Sequence, residues 1–115
     1  MDVSSDALGA ARRRLQEELV EVERELEDLG SDPDGTVRVV FDEGFADAAQ
    51  TTSERAKVLS LIETLRQRLQ DLRAAQLRIE RGTYGRCERC GQEIGPERLD
   101  AIPAVRLCIS CAQRR

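Results

Sequence analysis

A mostly α-helical fold, an antiparallel two-helix coiled-coil hairpin carrying a small four-cysteine domain, is the architecture this sequence predicts. Three observations lead there. Apolar residues recur at heptad spacing in two separate stretches, a cluster of turn-forming residues lies between them, and all four cysteines fall near the C-terminal end as two CxxC pairs. Composition agrees: the 115 residues are 3% aromatic and 35% charged, too few rings for a large globular core. The apolar content is instead Leu, Ile, Val and Ala at regular intervals, which suits helices that bury one stripe each. A chain of this length allows one compact domain or one extended element with a small appendage. No apolar run approaches the roughly eighteen residues that would predict a membrane span.

The first helix is read from Leu8, Leu15, Leu19, Val22, Leu26 and Leu29, whose steps of seven, four, three, four and three trace an a/d seam. Gly30 is its expected stop. Ser31-Asp32-Pro33-Asp34-Gly35 then reads as a turn, Val37-Arg38-Val39-Val40-Phe41 as a short extended segment, and Asp42-Glu43-Gly44-Phe45 as a second turn. The second helix is read from Val58, Ile62, Leu65, Leu69, Leu72 and Ile79, with Gln76 at the seam position between the last two. Its start has two readings, a capping box at Thr51-x-x-Glu54 or a first turn over residues 46–50. Its end is marked by Arg78 and Arg81 in the final turn and by Gly82 beyond. Neither stripe can be buried alone, so the two helices are expected to cover each other as a hairpin over residues 1–82, with an acidic tip loop around 30–50. The four-cysteine domain takes residues 83–115.

Charge is distributed unevenly along this plan. The formal net charge is -4, yet residues 17–47 hold twelve acids against two arginines, a local -10. Within the first helix, Arg12-Arg13-Arg14 lies near the N-terminus and Glu23, Glu25, Glu27 and Asp28 near the C-terminus. That polarity opposes the helix dipole, at a cost of a few tenths of a kcal/mol per charge. Two readings account for it: cross-helix pairing with Arg55, Lys57, Arg66 and Arg68, or an acidic surface that serves a partner outside the chain.

Cys87-x-x-Cys90 and Cys108-x-x-Cys111, with seventeen residues between the pairs, match the spacing of a four-thiolate zinc site. The physical case is independent of the spacing, because a domain this small cannot bury a sufficient core and a bound metal can supply the missing free energy. Gly91 follows the first pair, where a knuckle turn favours positive φ and leaves N–H groups free to point at sulfur. Ala112 follows the second. A disulfide framework would need an oxidising compartment, and Met1-Asp2-Val3-Ser4-Ser5-Asp6 has neither the basic nor the apolar region of a secretory signal. A redox CxxC would be expected in a βαβ setting, which the pattern lacks. Four cysteines and no histidine offer zinc no open coordination position, so one structural zinc is expected rather than zinc catalysis. Enzymatic activity is not expected: the chain has no histidine, no nucleophile-and-base pair and no glycine-rich phosphate loop.

The run Gly82-Thr83-Tyr84-Gly85-Arg86-Cys87-Glu88-Arg89-Cys90-Gly91-Gln92-Glu93-Ile94-Gly95-Pro96-Glu97-Arg98-Leu99, continued by Ala101-Ile102-Pro103-Ala104 and Leu107-Cys108-Ile109-Ser110-Cys111, closely resembles the zinc-finger signature of the DksA/TraR family. The resemblance implies a coiled-coil hairpin joined to a C4 zinc finger, and a cytoplasmic bacterial transcription regulator that binds RNA polymerase. In that family the hairpin enters the polymerase secondary channel and its tip approaches the catalytic magnesium. Carboxylates suit that place, since hard oxygens can perturb magnesium and its water shell. The family tip pattern is Asp-x-x-Asp-x-Ala. Here Glu43, Ala46 and Ala48 fall on its three marked positions, and Asp47 supplies an acid one residue later, about 100° around a helix. The polymerase-contacting tip is therefore assigned to Glu43, Asp47 and Ala48.

Two other readings stand beside this one. In the first, the chain is a zinc-stabilised coiled-coil adaptor or dimerisation module; Leu61 and Leu77, which lie off the main seam, point to self-association through the coiled coil. In the second, it is a nucleic-acid-binding zinc ribbon, in which Arg86, Arg89, Arg98, Arg106, Arg114 and Arg115 would face phosphate. Against that, thiolates on zinc carry a net negative charge that local arginines offset. The sequence pI near 5.0 and the scarcity of stacking rings also count against it, so no sequence-specific DNA binding is expected.

Overall fold

The computed structural model describes residues 4–31 and 52–114. Four helices lie among them: α1 (Ser5–Asp28), α2 (Thr52–Arg81), α3 (Pro96–Ala101) and α4 (Ile109–Gln113). The fold is mostly helical, a two-helix coiled-coil hairpin with a small four-cysteine finger. By contact, the chain divides into two compact units, Leu19–Gln70 and a second made of Met1–Glu18 with Asp71–Arg115. The two long helices contribute residues to each. Among the described residues no helix is long and apolar enough to cross a membrane.

Among the described residues of the unit Leu19–Gln70, the buried apolar side chains are Leu19, Val22 and Leu26 of α1 and Ile62, Leu65 and Leu69 of α2, and Ser31 is buried beside the end of α1. The apolar ones are seam positions from both helices, and the places between them are polar apart from the exposed Val20, so the heptad pattern translates directly into burial. The end of α1 is closed by two backbone bonds. Gly30 N–H donates to the Glu27 carbonyl at 3.0 Å, and Ser31 N–H reaches back to the Leu26 carbonyl at 2.9 Å. This paired closure needs a residue at positive φ, and Gly30 adopts 86°. The segments read as turns and as an extended run between the helices lie outside the described residues.

The other unit holds the opposite ends of the long helices. Ser4 caps α1, its Oγ accepting from the Ala7 N–H at 3.2 Å. Leu15 of α1 is buried there with Leu72, Ala75 and Ile79 of α2. The seam thus runs 72, 75, 79 rather than through Gln76. The reason is polarity: a buried amide needs a partner, and Gln76 instead sits half-exposed, with its Nε2 donating to Gln16 Oε1 at 3.1 Å. The small Ala75 takes the covered position. Helix α2 ends with the same closure as α1, Thr83 N–H donating to the Arg78 carbonyl at 2.9 Å past Gly82.

Leu26→Ala and Leu69→Ala, each at a fully covered seam position, should lower the unfolding free energy by about 2–5 kcal/mol in guanidinium titrations. Leu61→Ala, at a position 47% exposed, should change it by less than about 0.5 kcal/mol.

Candidate metal centre

The described residues after Gly82 are too few to build a core from apolar side chains alone. Their buried cluster is Cys87, Ile94, Val105 and Cys111, with Leu99, Leu107 and Cys108 packed against it. Two of those four buried residues are cysteines, so sulfur sits where a larger domain would place hydrocarbon.

Each cysteine pair is held by local backbone geometry. In the first, Gly91 N–H donates to the Cys87 carbonyl at 3.0 Å and Cys87 N–H to the Gln92 carbonyl at 2.8 Å. An antiparallel bridge between Arg86 and Glu93 continues that turn. Gly91 has the positive φ, 76°, expected of a knuckle. In the second pair, Cys108 caps α4, its Sγ accepting from the Cys111 N–H at 3.5 Å.

The four thiols are free, and their sulfurs lie within 4.8 Å of one another. A tetrahedron built on zinc–sulfur bonds of about 2.3 Å has edges of about 3.8 Å. The Cys90 and Cys108 sulfurs are 3.8 Å apart. A disulfide would require about 2.05 Å. The arrangement therefore fits a closed, all-sulfur, four-coordinate site, the donor set that selects zinc.

Burial raises the Cys87 thiol, but backbone hydrogen bonds from Cys108, Cys90 and Arg89 and the Cys111 side chain outweigh it and bring it to about 6. Cys111 is pushed up to about 12, by burial first and then by hydrogen bonding with the other three thiols and repulsion from Cys108. At neutral pH Cys111 retains its proton, which zinc must displace, so metal binding is coupled to proton release.

The surrounding arginines are occupied by the fold. Arg89 Nη1 donates to the Cys111 and Arg114 carbonyls, each at 3.3 Å, and Arg98 Nε to the Leu107 carbonyl at 2.9 Å. Arg106 pairs with Asp71 of α2 at 2.8 Å. Arg14, set against the dipole of its own helix, donates to the Asp100 and Ala101 carbonyls in the last turn of α3. There a cation is favourable. Tyr84 is buried and its hydroxyl donates to the Pro103 carbonyl at 2.8 Å.

Sequence reasoning missed the place of Arg78. Read only as a final-turn marker of the helix end, it is 8% exposed, with Nη1 on Glu88 Oε1 at 3.1 Å and Nη2 on the Val105 carbonyl at 3.1 Å. Burial lowers its pKa, opposed by the attraction of Glu88. The signal was its position beside Ile79 and three residues after Ala75, on the covered side of α2. Glu43, Asp47 and Ala48 lie outside the described residues.

Fold and site define a helical-hairpin protein with a C4 zinc finger. Residues 82–115 match the family model described as the prokaryotic dksA/traR C4-type zinc finger. Over 105 residues the chain is 30% identical to the RNA polymerase-binding transcription factor DksA of Escherichia coli, covering 90% of this chain and 63% of that protein. Over 98 residues it is 32% identical to the general stress protein 16O of Bacillus subtilis, covering 85% and 57%. The chain thus spans less than two thirds of the length of these curated relatives. The solved structure of transcription factor DksA2 from Pseudomonas aeruginosa superposes with a TM-score of 0.56 at 33% identity, covering 95% of this chain and 77% of that one. The chain belongs to the DksA/TraR family, and its cofactor is a structural zinc ion.

Elemental analysis of the reduced protein should find one zinc per chain. Zinc affinity, measured against a chromophoric chelator, should fall between about pH 8 and about pH 6 as protons compete for the thiolates. Cys111→Ser should lower that affinity sharply and loosen residues 83–114, read as lost amide protection.

Proposed function

We propose that this protein is a bacterial transcription regulator that binds RNA polymerase through its secondary channel and modulates initiation. In this reading Cys87, Cys90, Cys108 and Cys111 hold the zinc, and the hairpin presents Glu43, Asp47 and Ala48 at its tip. The observation that carries it is the match over 90% of this chain to a relative named as an RNA polymerase-binding transcription factor. That match takes in both the hairpin and the finger. The protein then acts in the cytoplasm as a binding factor rather than an enzyme, and it affects the polymerase active site through carboxylates near magnesium. The finger arginines also speak against a nucleic-acid ribbon, since Arg89, Arg98 and Arg106 are engaged with carbonyls and acids of the chain itself.

A second reading, an adaptor that pairs its coiled coil with another helix or with a second copy, draws on Leu59, Leu61 and Leu77. These α2 residues are 40%, 47% and 42% exposed. A tight dimer in sedimentation would favour it.

Purified protein should capture core polymerase at moderate salt and compete with other secondary-channel factors for it. In transcription assays with purified polymerase, the wild type should alter transcript yield, and Glu43→Ala and Asp47→Ala should each diminish that change while leaving capture intact. No capture at all would overturn the polymerase reading; unchanged yields with both variants would overturn the tip assignment.

A further inference from the structure

The two cysteine pairs are distant in sequence, and something besides their own turns must hold them at ligating distance. The first pair encloses Glu88, directly after Cys87. The second is reached from Val105, three positions before Cys108. A single side chain of α2 touches both arms. Arg78 Nη1 lies 3.1 Å from Glu88 Oε1 and its Nη2 lies 3.1 Å from the Val105 carbonyl. Between the arms, Glu88 N–H donates to the Arg106 carbonyl at 3.0 Å, and Arg106 Nη1 stands 3.9 Å from Glu88 Oε2. Arg106 is in turn paired to Asp71, seven residues before Arg78 and on the same helix.

We propose that Arg78 is a positioning residue for the zinc site, its guanidinium bracketing the two cysteine-bearing arms so that the four sulfurs are brought together before the metal binds. The inference rests on the four-cysteine zinc reading and adds to it a residue that touches no sulfur. Only a planar fork serves both acceptors at once; a lysine ammonium would keep the charge without that paired geometry. The Arg78 side of the bracket is buried, with its bond to the Val105 carbonyl, so loss of Glu88 leaves a covered guanidinium uncompensated. Residues that orient metal ligands from outside the coordination sphere typically change metal affinity by roughly 10- to 100-fold.

The test is a double-mutant cycle on the full chain. Zinc affinity is measured by chelator competition for the wild type, Arg78→Met, Glu88→Gln and the double variant. Each protein is also loaded with cobalt, whose ligand-field bands report the geometry of the four thiolates. Each single variant should still bind one metal per chain, with affinity lower by roughly 10-fold or more and with shifted cobalt bands. The double variant should be little worse than Arg78→Met, because both changes break one bracket. Arg81→Met, an exposed change on the same helix, should match the wild type. Wild-type affinity and spectra in both single variants would overturn the proposal, and so would losses that simply multiply in the double variant. If Arg78→Met does not fold, Glu88→Gln decides alone, since Glu88 is 41% exposed and its replacement keeps the shape of the side chain. A wild type that binds no zinc would overturn the zinc reading itself, a result distinct from tight zinc binding that ignores Arg78.

Discussion

The finger depends on sulfur standing in for a hydrophobic core. Its buried cluster contains two cysteines and two aliphatic residues, far less apolar surface than a self-sufficient domain core provides. Zinc binding to a small thiolate domain supplies about 10–16 kcal/mol at neutral pH, a term that closely spaced sulfurs can collect and scattered aliphatic contacts cannot. The knuckle turns, the thiol-capped α4 and the bonds across the arms all keep four sulfurs within one coordination sphere. The same logic accounts for the absence of histidine from the ligand set: an all-thiolate site leaves zinc no exchangeable position and confines it to a structural role.

The arginines show how a charge that is poorly placed locally can be well placed in three dimensions. Arg14 opposes the dipole of α1 yet completes the C-terminal turn of α3. Arg78 follows the rule for a helix C-terminus, but its guanidinium is turned away from solvent into the finger. Arg89 and Arg98 bind backbone carbonyls beside the cysteines, adding side-chain bonds in a region with little regular structure. A patch of positive charge that could be mistaken for a phosphate-binding surface is in large part the internal hydrogen bonding of the finger.

Family membership gives these observations a functional frame. The match to DksA-type proteins extends across both the hairpin and the finger. Under the proposed reading, the positions assigned to the tip carry Glu43, Ala46 and Asp47, which shifts the second acid by one residue from the spacing that the family resemblance implies.

The sequence by itself determined the helical class, the heptad seams, the glycine stops at Gly30 and Gly82 and the two CxxC turns, because each is encoded by residues close together along the chain. Periodicity, positive-φ turns and CxxC spacing act over a few bonds. The tertiary structure decided what depends on distant groups meeting: Ala75 rather than Gln76 on the covered seam, Arg14 at the end of α3, and Arg78 buried against Glu88 and Val105. In each case a polar group met a partner on another element, and for Arg78 it did so out of contact with water.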